Sequence, residues 1–275
     1  MIKSLTSLRG IFILFIFFHH CLFLYHGGGT MAVTFFFILG GFAMTLGYKD
    51  KITKSEFSYK QYLTRRCIKF YPLHWLTLLA ALPFAILSFS KWTLPILVVN
   101  TALLQAWIPI YEVYFSFNAV SWYLANTMFF AVVFPFIFKW IAGASSKGKS
   151  LIAAILAIMY VVVVMLLPEE KYHAIFYISP YMRLMDFVLG IYLALGYIKL
   201  KERPVNNWNN VACQIAIVSL IVLLVVESCL LSETATLFAP VYWIPVALLI
   251  VIASLSEQNG GGKFYKTNGY NSLAI

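Results

Sequence analysis

The chain has 275 residues, 62% of them hydrophobic and 11% charged, with a formal net charge of +10. No water-soluble domain hides that much apolar surface, and the basic residues sit between apolar runs rather than in a soluble basic domain, which excludes nucleic acid as a partner. The fold class is therefore all-α, a polytopic helical bundle embedded in a lipid bilayer.

The first apolar run extends from about Leu5 to Tyr25. It is too long for a cleavable leader and lacks a small-residue cleavage site, so it is expected to stay in the membrane. Within it, Arg9 and His20 bracket an unbroken apolar stretch. Eleven residues at about 100° each make about 1100°, three turns plus roughly 20°, so the two side chains share nearly one helix face. They are about 16 Å apart along the axis. His19 falls on a neighbouring face. Polar groups in hydrocarbon are costly and tend to mark function.

His26 to Gly29 reads as a tight turn. The second span covers about Met31 to Tyr48 and includes Gly40 and Gly41, where another helix or a ligand could come close. Residues 49–69 hold Lys49, Lys51, Lys54, Lys60, Arg65, Arg66 and Lys69, the densest basic stretch, which the positive-inside rule places in the cytoplasm with the N-terminus. The third span is expected to begin at Tyr71-Pro72, with the proline in its first turn, and to end near Ser90.

Residues 93–110 are apolar but carry Pro95, Asn100, Gln105 and Pro109. If they crossed, the loop with Lys139, Lys147 and Lys149 would lie outside; if they do not, every basic loop lies inside. The charge pattern thus favours about eight spans plus a re-entrant or interfacial segment at 93–110, with a nine-span arrangement as the competitor. The remaining spans run from about Ala119 to Lys139, Leu151 to Leu167, Met182 to Ile198, Val211 to Leu231 and Leu237 to Leu255. Residues 1–256 form one transmembrane domain in this reading, and 257–275 a polar cytoplasmic tail.

Four groups could carry chemistry: Arg9 with His20; the cationic turn from Arg65 to Pro72; Asn118 to Leu124; and Arg183 with Asp186, which share a helix face at i,i+3. A neutral imidazole can take a proton from a hydroxyl, and a cationic cluster at a membrane mouth can hold phosphates. Each also has a plainer role. Arg9 could be a flank, the cations topology anchors, and Arg183 and Asp186 a structural ion pair. His26, His74 and His173 read as interfacial. Cys21, Cys67, Cys213 and Cys229 form no CxxC pair and no metal-like spacing with His, so no metal site is expected. No GxSxG, HExxH or P-loop is present.

In these residues the sequence resembles the membrane-bound acyltransferase-3 proteins that O-acylate bacterial glycans. The matching stretches are Leu8-Arg9-Gly10-Ile11 with His20, Phe35 to Phe42, Arg65-Arg66-x-x-Lys69-Phe70-Tyr71-Pro72, Leu103 to Trp107, Asn118 to Leu124, and Arg183-x-x-Asp186-Phe187-x-x-Gly190. Lys69 stands where the family has Arg, and Thr127 where many members have Glu. The resemblance implies transfer of an acyl group, acetyl above all, from acetyl-CoA as co-substrate to a hydroxyl of a cell-surface polysaccharide or lipid-linked oligosaccharide, with no bound cofactor. It implies His20 as general base and Arg9 beside it, with Arg65, Arg66, Lys69 and Tyr71 at the donor. Asn118, Trp122, Arg183 and Asp186 would then support the pocket. It places the chain in the bacterial inner membrane, multi-pass, with a cytoplasmic N-terminus. Family members usually continue for one or two more spans, so the chain reads as C-terminally shortened. The alternatives are a non-catalytic transporter or flippase of an anionic lipid-linked sugar, or an inactive fragment of the enzyme.

Overall fold

A computed structural model describes residues 2–21, 28–87, 91–201 and 210–258. His26 and Gly27 of the expected turn, and the glycine-rich part of the tail, lie outside the described residues. Every regular element among the described residues is helical: α1 (Lys3–His20), α2 (Gly28–Thr53), α3 (Tyr59–Leu87), α4 (Thr93–Thr101), α5 (Tyr111–Tyr114), α6 (Ser121–Gly143), α7 (Ser146–Leu166), α8 (Pro180–Lys201), α9 (Asn210–Leu230), α10 (Glu233–Thr236) and α11 (Pro240–Gln258). A 3-10 turn, Gln105–Trp107, joins α4 to α5, a second, Glu169–Lys171, follows α7, and a π-helical turn, His173–Ile178, leads into α8.

Among the described residues, six helices are long and apolar enough to cross a bilayer: 28–53, 59–84, 121–143, 146–166, 180–201 and 240–257. The first and the seventh of the expected spans correspond to α1 and α9. Lys3, Arg9 and two histidines break the apolar character of α1, whereas α9 has 21 residues, the length a crossing takes. Segment 93–110 does not form a spanning helix: α4 has nine residues, about 14 Å at the α-helical rise. Side chains of α3 hold its end. Tyr71 Oη donates to the Ala102 carbonyl at 3.3 Å, His74 Nε2 to that of Asn100 at 2.8 Å, and Trp75 Nε1 to that of Thr101 at 3.2 Å.

Helix α3 corrects the expected third span. It begins twelve residues earlier, at Tyr59, so Pro72 lies in its interior together with Pro83. A proline costs one ladder bond in the middle of a helix, but membrane helices tolerate it because no alternative backbone structure is available in hydrocarbon. His74 is thereby carried into the middle of α3, where it is 2% exposed.

The described chain divides into two compact units, residues 1–36, 195–236 and 240–275 in one, and 37–194 with 237–239 in the other. In the first unit α1 packs against α11, and α11 against α9. The buried stripe of α1 is Ser4, Leu5, Leu8 and Phe12. Phe12 stacks on Phe35, with ring centroids 3.7 Å apart and planes 7° from parallel. Glu257 Oε2 accepts from the Ser4 amide at 2.8 Å, and Ser4 Oγ donates to the Ala253 carbonyl at 2.8 Å. The carboxylate thus caps one of the amides that every helix N-terminus leaves unpaired.

In the second unit the backbones of α2 and α8 touch. A Cβ at Gly41 would collide with the carbonyl of Phe187, and one at Gly190 with the backbone of Ile38 and Phe42. Two glycines therefore let the helices cross with no side chain between them, the close approach favoured in membrane bundles.

Candidate functional site

The sequence-derived site residues fall into four places. Arg9 and His20 are in the first unit; all the others are in the second. Along α1, Arg9 is half-buried, His19 half-buried and His20 exposed. His19 lies seven residues beyond Phe12, hence within about 20° of the packed stripe, whereas His20 lies about 80° from it. The two imidazoles meet edge-on, with centroids 5.4 Å apart. The imidazole aligned with Arg9 is thus the one that stands away from the packed face.

The cationic turn of α3 is not one surface. Arg66 is half-buried, its guanidinium 5.7 Å from the Tyr48 ring centroid and 5.4 Å from that of Tyr62. Tyr62 is anchored by donating to the Ala131 carbonyl of α6 at 2.8 Å. Arg65 and Lys69 are exposed, and Lys69 Nζ lies 5.8 Å from the Phe70 ring. Tyr71 lies about 120° around the helix from Arg65 and about 160° from Lys69. It lines an open groove with Cys67, Ile68, Pro72, Trp75 and Thr101. The four residues expected at one donor site therefore look in three directions.

Trp122, Arg183 and Asp186 do come together. Arg183 and Asp186 are one turn apart on α8, with Nη1 to Oδ2 at 3.0 Å and side chains 0% and 1% exposed. The guanidinium lies 5.2 Å from the Phe37 ring centroid and 5.8 Å from that of Tyr177. Phe37 stacks on Tyr123 at 4.9 Å, and Tyr177 meets Trp122 at 4.9 Å. Ring faces carry negative potential, so this cage stabilises a cation taken out of water. Burial pushes the Tyr177 hydroxyl up to about 12, with the Arg183 charge pulling the other way.

Asn126 of α6 donates to the Ile178 carbonyl at 2.8 Å and to that of Trp122 at 3.1 Å. Ile178 ends the π-helical turn, so Asn126 satisfies a carbonyl that no helical amide reaches. Thr127 turns its hydroxyl to the Tyr123 carbonyl of its own helix at 2.9 Å.

Asn118 is separate from that cluster, donating to Thr77 Oγ1 of α3 at 3.1 Å. Gln105 donates to Ser121 Oγ at 2.9 Å. Leu103 and Phe117 adopt φ of 58° and 57°, a left-handed backbone that costs a side-chain-bearing residue about 1–3 kcal/mol. The strain is held just before Gln105 and Asn118, the two amides that tie this connection to its neighbours. His173 Nδ1 lies 3.3 Å from the Tyr114 hydroxyl. Burial lowers the His173 pKa and raises that of Tyr114. Among the described residues no three His, Cys, Asp or Glu come together to hold a metal ion.

The contributions of Phe37, Tyr177 and Asn126 were not legible in the sequence. Phe37 is one of three consecutive phenylalanines, and nothing in their spacing selects the one that meets Arg183.

The sequence matches a family model described as an acyltransferase domain, along residues 2–275. It is similar to the acyltransferase MdmB of Streptomyces mycarofaciens, with 29% identity over 185 residues, 61% of this chain and 46% of that one. The chain therefore spans about half the length of that curated relative. No solved structure matches.

Proposed function

The chain belongs to the acyltransferase-3 family, and from that premise we propose that it is a membrane O-acyltransferase. It moves an acyl group, acetyl in the simplest case, from acyl-CoA to a hydroxyl of a cell-surface polysaccharide or lipid-linked oligosaccharide, in a bacterial cytoplasmic membrane with its N-terminus inside. The observation that carries the assignment of the base is that His20 stands exposed on α1 while its neighbour His19 turns toward the packed stripe.

In this reading His20 accepts the proton of the acceptor hydroxyl as its oxygen attacks the thioester carbonyl. The new ester C–O bond forms, the C–S bond breaks, and the CoA thiolate takes the proton back from the imidazolium. Arg9 holds geometry or charge along the same helix stripe, about 16 Å away along the axis. Arg65 and Lys69, exposed near the N-terminal end of α3, offer charge-assisted bonds to the donor's phosphates. Arg66, held between Tyr48 and Tyr62, adds its field and fixes the turn. Trp122, Arg183 and Asp186 brace α6 and α8 within their own unit.

The test is a turnover assay on membranes holding the chain, with isotopically labelled acetyl-CoA and envelope glycans extracted from the host. The expected result is label in the glycan as an alkali-labile ester, with one CoA released per ester. Movement of a lipid-linked sugar with no CoA-dependent change in its mass makes the protein a transporter instead.

A further inference from the structure

Helix α3 is thinly covered: only 11% of its span is buried, against 72% for α2. Its bare side carries an open groove of about 590 Å³, lined by Cys67, Ile68, Tyr71, Pro72, Trp75 and Thr101. Ile68 is 68% exposed and Trp75 47%. The polar atoms of Tyr71 and Trp75 donate to backbone carbonyls of residues 102 and 101, so the groove offers an occupant apolar surface. Its volume lies within the range of about 300–1,000 Å³ typical of ligand sites.

Cys67, Tyr71 and Trp75 recur every fourth residue, and the same stripe continues toward the helix N-terminus through Thr64 and Lys60. Both are exposed, and neither has a hydrogen-bond or ion-pair partner among the described residues. No acidic residue occurs anywhere in α3. The stripe is distinct from the one bearing Arg65 and Lys69, and Arg66 faces the opposite way onto its tyrosines. One helix face thus runs from a cation, through a hydroxyl, into an apolar groove.

We propose that this strip binds an anionic glycerophospholipid, with its phosphate at Thr64 and Lys60 and one hydrocarbon chain in the groove beside Trp75. The charge is complementary, and the spacing selects the class of ligand. Thr64 and Cys67 are one helical turn apart, about 5 Å. In a phospholipid only glycerol lies between phosphate and chain, which fits one turn. In acyl-CoA the whole pantetheine arm intervenes, which would lay that polar arm, rather than the acyl chain, along the groove. The indole of Trp75 supplies a rigid apolar wall, and the Lys60 stem covers further apolar surface while its ammonium meets the headgroup. The inference does not rest on acyl transfer.

The experiment uses the whole chain in nanodiscs of phosphatidylcholine containing a few per cent of lipid brominated in its chains, since bromine quenches indole fluorescence on contact. Brominated phosphatidylglycerol is expected to quench more than brominated phosphatidylcholine at equal mole fraction, and the excess should vanish in Trp75→Phe. Lys60→Ala should reduce the preference about fivefold, the contribution of one cation near an anionic headgroup. A molar salt concentration should suppress it without any substitution. Equal quenching by the two lipids overturns the proposal, as does an excess that survives in Trp75→Phe or is undiminished in Lys60→Ala. Stronger quenching by an acyl-CoA with a brominated chain would give the groove to the donor and also overturn it. Because no turnover is read, failure here leaves the acyl-transfer reading standing, and failure there leaves the lipid site standing.

Discussion

Arg183 and Asp186 form an ion pair of 3.0 Å with no exposed surface on Arg183 and almost none on Asp186. A pair this deeply buried adds little net stability over well-packed apolar side chains, but removing one partner leaves a charge with no counterion. Asp186→Ala should therefore cost about 3–5 kcal/mol, and Arg183→Met with Asp186→Leu together should cost less than Asp186→Ala alone. Thermal unfolding in detergent micelles measures both. A single variant as stable as the parent would mean that the aromatic cage of Phe37 and Tyr177 is enough for the guanidinium.

The glycine contact between α2 and α8 makes a position-specific prediction. Gly41→Ala and Gly190→Ala each push a methyl group into backbone, and overpacking of that kind costs about 1–3 kcal/mol or more. At Gly40 the new Cβ would meet only the Phe187 ring, at 3.8 Å, and at Gly47 nothing within 4 Å. Gly40→Ala and Gly47→Ala should be neutral to slightly stabilising, because alanine is the better helix former. Unfolding midpoints for the four variants should separate into two pairs; four equal values would refute the close crossing.

His20→Ala should lower glycan acylation by about 10²–10⁴, the usual contribution of a general base, while leaving expression and insertion unchanged. His19→Ala should be mild, because His19 turns toward the packed stripe of Leu5, Leu8 and Phe12. The readout is the rate of ester formation at equal protein content. Loss of activity in His19→Ala with retention in His20→Ala would assign the base to the other imidazole.

Arg66→Ala should weaken acyl-CoA binding more than Lys54→Ala, whose side chain lies outside the cationic motif. The difference expected is below the ~1.5–3 kcal/mol of a charge-assisted bond, because Arg66 contributes its field and the position of the turn rather than a direct contact. Arg66→Lys separates charge from the planar stacking on Tyr48 and Tyr62. Titration with a non-hydrolysable acyl-CoA analogue measures all three. Equal small effects at positions 66 and 54 would leave the cluster as a topology anchor.

His173 gives the fold a pH dependence on the acid side. Its burial lowers the folded pKa, while the unfolded chain takes up the proton near the ordinary value of about 6.5. The unfolded state therefore binds the proton first, and stability falls as pH drops through 6.5 toward the lowered folded value; above 6.5 both states are neutral and nothing is lost. The unfolding midpoint should decrease between pH 7.5 and 5.5, and His173→Gln should flatten that decrease. An undiminished pH dependence in the variant would assign it to other groups.

Membrane class, an all-helical bundle and the order of the motifs were decided by sequence alone, because in hydrocarbon the backbone has few structures to choose from and apolar run length selects among them. The alignment of Arg9 with His20 and the pairing of Arg183 with Asp186 were also legible, since helical periodicity is a local property. What periodicity cannot supply is the neighbour. Pro72 marked a helix start on local rules and sits inside α3, because tertiary surroundings and the lack of water override a proline's local preference. Tyr71 stood in line with Arg65, Arg66 and Lys69 in sequence but looks into a different groove, as the wheel of α3 turns each residue to its own partner. Phe37 and Tyr177, 140 residues apart, meet around one guanidinium only because α2, the π-helical turn and α8 converge there. Gly41 and Gly190 are ordinary glycines until two backbones touch at them. Contacts of that kind are decided by packing between distant segments, which the tertiary structure alone contains.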